Sequence, residues 1–505
     1  MGHPGGRLSQ CSVGGSNQSG GVSSVDERDG RTSHRVTFLV LAAGLCTYSL
    51  LQSMVIPVLP AIQAELNTTQ ADVTWVLTAN LLAAAVATPI VGRLGDMFGK
   101  RRLFVTVLLV LSLGCLLSAL AGAMPLMIVG RALQGIGGGV IPLGYSILRD
   151  EFPDASVATA IGALSSLIAV GSGSGLVIAG PIDSALGLDW LFWLPMGVGV
   201  VAATIAHRVI PESRVRTPGR VNVPAALLLS GWLVCVLLGV SRATAWGWGS
   251  PRVLGLLAAG ALMLGGWIAV ETRSAQPLID MRMMRLRAVW TANLIAFLVG
   301  LTIFAAFAFI PQFMQTPPSA GYGFGSTISQ VGLALLPQTA AGFCAGLAAG
   351  RLGRRFSSRN IVTAGTLLTA LAYAVVTVAH DEHWQLAIAF VLLGFGTGTT
   401  QAALANVVVT SVPREQTGAA SGMNANIRTI GGSIGSAVMA TVVTSTAPPG
   451  GLPTEAGYTT GFLLLTVAMV GATLATRVMP DPRRAARRAA VAGAATPLAP
   501  LPSDS

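Results

Sequence analysis

The chain has 505 residues, 52% of them apolar and only 10% charged, with a mean hydropathy of +0.68. Soluble domains carry about 25% charge, so the composition excludes an ordinary globular protein and points to a chain that crosses a membrane many times. The net charge of +11 raises the question of a nucleic-acid partner, but the positive charge is spread over many short loops and leaves no single patch for one.

Residues 1–35 are rich in Gly and Ser, with scattered charges from Asp26 to Arg35. They are too polar to bury a core and read as a disordered tail. No small-residue cleavage site follows a short apolar core, so the stretch does not resemble a secretory signal. A run of ~20 apolar residues crosses a bilayer as a helix. Fourteen such spans follow, the first seven at about 37–59, 73–91, 103–122, 125–148, 158–180, 191–209 and 223–240. The second seven lie at about 253–270, 289–310, 328–350, 361–379, 386–410, 419–444 and 458–476. Residues 478–505 are Arg-rich and then Ala/Pro-rich, and read as a second disordered tail.

The basic residues orient this topology. With both tails and the loops after even-numbered spans on the cytoplasmic side, 27 of the 31 Lys and Arg residues collect there. Arg131 and Arg428 fall inside spans, and Arg242 and Arg252 lie in one outer loop. This bias is what the positive-inside rule demands. The expected location is the inner (cytoplasmic) membrane, multi-pass, with both termini cytoplasmic.

Residues 92–102 (GRLGDMFGKRR) sit between spans 2 and 3, and a partial copy, residues 350–360 (GRLGRRFSSRN), follows spans later at an offset of 258. Gly135-Ile-Gly-Gly-Gly139 matches Gly394-Phe-Gly-Thr-Gly398 at 259. Pro153 matches Pro413, Gly162 matches Gly422, and Gly171 and Gly175 match Gly431 and Gly435, all at 260. A near-constant offset signals two halves of common design. The two copies lie eight spans apart, so two helices separate two six-helix halves. The expected fold is therefore all-α and integral to the membrane, with 14 transmembrane helices arranged as two pseudo-symmetric six-helix bundles plus an inserted pair (6+2+6). The expected domains are 36–210, 211–287 for the inserted pair and its flanking loops, and 288–477.

In the repeated stretch, Gly92, Gly95 and Gly99 permit tight turns and close helix approach. Asp96 can accept hydrogen bonds at a helix N-terminus or pair with an Arg, while Lys100, Arg101 and Arg102 are expected to anchor the cytoplasmic face. Gly350 and Arg351 belong to the second copy, where Arg354 replaces Asp96. Arg131 lies ~9 Å into span 4 and Arg428 ~14 Å into span 13 at 1.5 Å per residue. A charge at such depth costs at least ~2.5–3.5 kcal/mol and marks function, so both are expected to line a cavity or its coupling network, with Gln134 and Asn424 beside them. The spacing of Gly171/Gly175 and Gly431/Gly435 leaves smooth faces for helices that slide, and Gly180-Pro181 is an expected flex point.

These motifs resemble those of the major facilitator superfamily. Residues 92–102 are similar to its loop signature G-x-L-a-D-r-x-G-r-r, and Arg131-Ala-Leu-Gln-Gly-Ile-Gly is similar to its fourth-helix signature. Gly171, Gly175 and Gly180-Pro181 resemble the antiporter signature of its exporters, and fourteen spans match the drug:proton antiporter branch. The resemblance runs from about residue 37 to 476. It implies alternating-access export of drugs or antibiotics in exchange for protons, with the Asp96 loop latching the cytoplasmic gate in one state and releasing it in the other.

The departures matter as much. Relatives carry an Asp in the first helix where this chain has Leu51, and none of the 20 acidic residues lies deep in a span. Asp72 and Asp183, at outer span ends, are the remaining candidates for proton coupling. The interior offers arginines and amides (Asn80, Gln134, Asn293, Gln338, Asn406, Asn424, Asn426) but no desolvated carboxylate for a cation, so the expected substrate is a neutral or anionic amphipathic small molecule. Protons and the lipid bilayer are the other expected partners, and the monomer is the expected working unit.

The five cysteines lack metal-ligand spacing and read as buried hydrophobes. All five histidines lie in tails, loops or span ends, and no nucleophile–base pair occurs inside a span, which argues against an enzyme, a metal centre or a cofactor. An uncoupled facilitator, an exporter of an endogenous metabolite or lipid-like compound, and a non-transporting sensor on the same fold are the competing readings. Arg outnumbers Lys 30 to 1, as in GC-rich bacterial genomes, where export of an antibiotic is a reasonable role.

Overall fold

The computed structural model describes residues 23–213, 222–447 and 452–481. Among these residues there are no strands, and fourteen helices are long and apolar enough to span a bilayer. The first seven are α1 (His34–Met54), α2 (Asp72–Phe98), α3 (Lys100–Ala119), α4 (Met124–Glu151), α5 (Asp154–Leu186), α6 (Trp190–Val209) and α7 (Val223–Ala243). The second seven are α8 (Pro251–Arg273), α9 (Arg287–Gln315), α10 (Ser329–Gly353), α11 (Ser358–Val378), α12 (His383–Ser411), α13 (Arg414–Ser445) and α14 (Glu455–Ala475). The chain is a multi-pass membrane protein with the 6+2+6 plan expected from the repeat.

Local chemistry explains the differences from the expected spans. The helix containing α1 begins at Ser23, inside the stretch expected to be a tail, because extending an existing helix avoids a new nucleation cost. It stops at Met54 rather than near residue 59, because Pro57 cannot continue it; a short helix, Leu59–Glu65, follows with Pro60 near its start. The tenth span is interrupted at Leu335, just before Pro337, and α4 tightens into a 3₁₀ turn at Gly137–Gly139. Most of the C-terminal tail expectation, 482–505, lies outside the described residues, as does Cys11.

Two cores form. One is built from residues between Val40 and Ile210 together with Val409, the other from residues between Ala225 and Met479 together with Ala85. The second includes Leu229, Trp232 and Leu233 of α7, so this helix shares a core with the second bundle. The helix α7 packs beside both α2 and α13, whereas α8 leans mainly on α7 and has only 17% of its spanning window buried. The halves meet along two main seams, α2 with α13 and α5 with α10.

Equivalent glycines build both seams. A methyl group on Gly92 would come within 2.3 Å of the Gly418 carbonyl oxygen, and one on Gly422 within 2.8 Å of the Thr88 carbonyl oxygen. On the other seam, one on Gly162 would meet the Gly346 carbonyl oxygen at 2.7 Å and one on Gly350 the Thr159 Cα at 2.6 Å. Within each half, Gly135 approaches the Asn80 carbonyl as Gly394 approaches that of Gln338. The repeat in the sequence is thus a repeat of contacts.

A candidate gate and central cleft

The α2–α3 junction turns at Gly99, whose φ of +113° lies where L side chains are strained. That turn directs Asp96 toward the opposite half. Its carboxylate, fully buried, accepts the backbone N–H groups of Gly418 (3.3 Å) and Ala419 (3.1 Å), the first turn of α13's regular helix. These donors are helix-terminal groups without partners inside their own helix, and the helix dipole adds to their attraction for an anion. Asp96 therefore caps a helix of the other half. Gly95 is required because Leu143 occupies the space a side chain would need.

Lys100 does not anchor the surface as expected. It is buried, donating to Asp150 at 2.7 Å and to the Arg414 carbonyl at 3.4 Å, and it stands 4.0 Å from Asp96. Two carboxylates and a carbonyl oxygen take the place of the water it gives up. Ser213 donates to the same Asp150 oxygen at 2.6 Å. Arg101 pairs with Glu212 at 3.5 Å and donates to the Ile210 carbonyl, so it ties the junction to the end of α6. Arg149 donates to Thr417 at 2.7 Å, a further bond across the seam. Arg351, in the second copy, is exposed.

Asp154 and Arg414 form an ion pair of 2.6 Å. They are 260 residues apart, the same offset that relates Pro153 to Pro413. Two equivalent positions can touch only beside the axis that relates the halves, so the pair marks where the pseudo-twofold axis leaves the basic face. Both side chains are well exposed, and such pairs contribute little. Reversing either charge alone (Asp154→Arg or Arg414→Asp) should slow transport less than about threefold, with the double exchange restoring it, as a double-mutant efflux comparison would show.

Above the gate lies a narrow cleft of about 40 Å³ between the halves. It is lined by Tyr145, Ser165, Gln401, Asn424 and Arg428, among others. Arg428 donates to Gln401 at 2.7 Å, and Asn424 donates to Asn293 at 2.8 Å. Tyr48 and Tyr145 lie within electrostatic reach of the Arg428 guanidinium.

Arg131 and Gln134, expected to line a cavity or its coupling network, are not among the residues that line this cleft. Arg131 is fully buried, donating to the Val76 carbonyl (3.0 Å) and to Gln134 (2.6 Å). Gln134 in turn donates to the Gly114 carbonyl and Ser118. This network joins α2, α3 and α4 inside one half. The paired glycines pack helices closely, as their spacing leads one to expect. Gly171 and Gly175 press on α1 near Cys46 and Leu50, while Gly431 and Gly435 press on α9 at Phe297 and Leu301. These contacts lie within each half and not at the two seams where the halves meet. Helix α5 continues through Gly180-Pro181 to Leu186. Cys344 is exposed rather than buried.

Neither expected proton site lines the cleft. Asp72 accepts a hydrogen bond from Thr69 at an exposed helix start. Asp183 stands near Glu65 and Asp189 on the face opposite the basic loops; burial first, then Asp189 and Asp183, push the Glu65 carboxyl above its usual range. Sequence reasoning missed Asp150, Tyr48 and Tyr145. It also missed the Asp154–Arg414 pair, although opposite charges at repeat-equivalent positions beside matched prolines were a legible signal.

Residues 41–436 and, overlapping them, 292–503 match the family model of the Major Facilitator Superfamily. The chain belongs to the major facilitator superfamily. Like this member, the tetracenomycin C resistance and export protein of Streptomyces glaucescens is a long chain; the two are 30% identical over 81% of this chain and 76% of that one. The cephamycin export protein CmcT of Amycolatopsis lactamdurans is 31% identical, over 90% of this superfamily member and 94% of its own length. The human organic anion transporter MFSD10 shares the fold, with a TM-score of 0.63 at 15% identity, covering 88% of this chain and 99% of its own.

Proposed function

We propose that this chain exports hydrophobic or amphipathic small molecules, antibiotics among them, by alternating access. The carrying observation is the buried Asp96 carboxylate that caps α13 across the seam, closing the basic face over a cleft that contains Arg428. The export proteins named among its relatives support the direction of transport. On this reading residues 36–210 and 288–477 rock against each other, with 211–287 riding alongside. The basic face is cytoplasmic, in the inner membrane, and the monomer suffices. The cargo is neutral or anionic, because the cleft presents a guanidinium, amides and phenol groups.

Protons supply the driving force in this reading, with Asp72 or Asp183 as exchange sites. The second reading, an uncoupled facilitator, is favoured by one observation: no carboxylate is among the residues that line the cleft. Expression in a pump-deficient host, with chemically varied antibiotics and an uncoupler, separates the two. Export is expected to lower accumulation of at least one neutral or anionic compound, and collapse of the proton gradient should abolish the effect. Export that persists after collapse would favour the facilitator, and no effect on any compound would overturn both.

A further inference from the structure

His380 follows α11, Asp381 is its neighbour, and Glu455 is the first residue of α14. All three lie at the face opposite the basic loops, and one ligand atom from each comes within 4.8 Å of the others. The His380 ring is only 9% exposed and is held edge-on by Phe313, with ring centroids 5.3 Å apart. Its Nδ1 lies 2.8 Å from the Val376 carbonyl oxygen. That oxygen can only accept, so Nδ1 carries a hydrogen, and Nε2 faces Glu455 Oε1, 3.0 Å away. A ring nitrogen and a carboxylate oxygen face each other at this distance when a positive centre stands between them, either a proton on Nε2 or a metal ion.

We propose that His380, Asp381 and Glu455 form a Zn²⁺ site. A metal-binding imidazole characteristically donates its other ring N–H to a carbonyl, as His380 does to Val376. Ligands at ~2.0–2.1 Å from Zn²⁺ stand roughly 3.3 Å apart in a tetrahedron, close to the Nε2–Oε1 spacing. One imidazole with two carboxylates suits Zn²⁺ rather than Mg²⁺ or Ca²⁺, which take oxygen ligands throughout. Asp381 and Glu455 are exposed, so Asp381 can close the remaining gap, up to about 1.5 Å against a tetrahedral spacing, by rotating, and water can fill the remaining position. The sequence shows no ligand motif because Glu455 is 75 residues from His380. Bound Zn²⁺ would staple the α11–α12 turn to the start of α14 within one half, so it stabilises that half and leaves the gate seams untouched.

The test uses the full chain without an affinity tag, in lipid nanodiscs, dialysed against buffered micromolar free Zn²⁺. One Zn²⁺ per chain should be retained, with a higher unfolding temperature than in chelator. His380→Gln and Glu455→Gln should each weaken retention at least tenfold and leave the chelator-treated unfolding temperature unchanged. If His380→Gln does not fold, the exposed pair of changes Asp381→Asn and Glu455→Gln gives the same reading. Retention no greater than in these variants, unchanged affinity in them, or displacement by millimolar Mg²⁺ would overturn the proposal.

Discussion

Replacing Asp96 with Ala should open the basic face and slow efflux by at least tenfold. In the closed arrangement Asp96 satisfies two backbone donors that belong to another half of the molecule. Hydrogen bonds to a charged group contribute about 1.5–3 kcal/mol each, and donors left buried without a partner add a penalty of similar size. In the open arrangement both groups meet water and the substitution changes little. Even a net loss of about 2 kcal/mol from the closed state shifts the equilibrium roughly thirtyfold toward the open one. Transport needs both states, so the cycle stalls with the basic face open. A cysteine placed at buried Ser421, just inside the seam, reports this directly. Its labelling by a membrane-impermeant maleimide from the basic side should rise in the Asp96→Ala background. Asp96→Asn should be intermediate, because the amide oxygen still accepts but its charge is gone. Unchanged labelling would remove Asp96 from the gate.

Lys100 behaves differently although it belongs to the same cluster. With Asp150 and Asp96 as its partners, Lys100→Ala would leave Asp150 as a nearly buried carboxylate beside Ser213 alone, so this change acts on folding of the first half as well as on the seam. The two residues belong to one signature, yet Asp96 holds the other half through both carboxylate oxygens, whereas Lys100 reaches it only through a 3.4 Å bond to the Arg414 carbonyl.

The fold was legible because a bilayer enforces it. Backbone groups must be satisfied inside each span, so hydropathy alone reads helices, and the repeat offset between residues 92 and 350 set their grouping. The gate was partly legible: Asp96 was recognisable as a residue that a purely topogenic loop does not need, but its partners, two backbone N–H groups more than 320 residues away, leave no mark in a side-chain pattern. The contrast between Arg131 and Arg428 was not legible. Both are single arginines in apolar spans, and what separates them is which helix face meets a neighbour, Val76 and Gln134 in one case and an open cleft in the other. The partners of the glycine pairs were hidden for the same reason, since an i, i+4 spacing shows a smooth face without showing which helix lies against it.

That contrast makes the two arginines separable by experiment. Arg428→Ala should leave the amount of folded protein near wild type, because it removes a costly charge from mid-membrane and leaves Gln401 facing the cleft. It should raise KM for an anionic substrate by about thirtyfold or more, the low end of truncating one partner of a buried charged hydrogen bond. Neutral substrates should lose less, since they forfeit only a neutral hydrogen bond. Arg428→Lys should recover part of the affinity for anions, keeping the charge without the planar fork. Arg131→Ala should do the reverse. It unlinks α2, α3 and α4, leaves Gln134 and the Val76 carbonyl without their donor, and should lower the yield of folded protein while whatever folds keeps its KM. Initial efflux rates measured at several substrate concentrations, normalised to folded protein, distinguish the two patterns. A dicationic dye exported equally by wild type and Arg428→Ala would overturn the assignment of a neutral or anionic cargo, because a doubly charged cation has no counter-charge among the cleft residues and should be repelled while Arg428 is present.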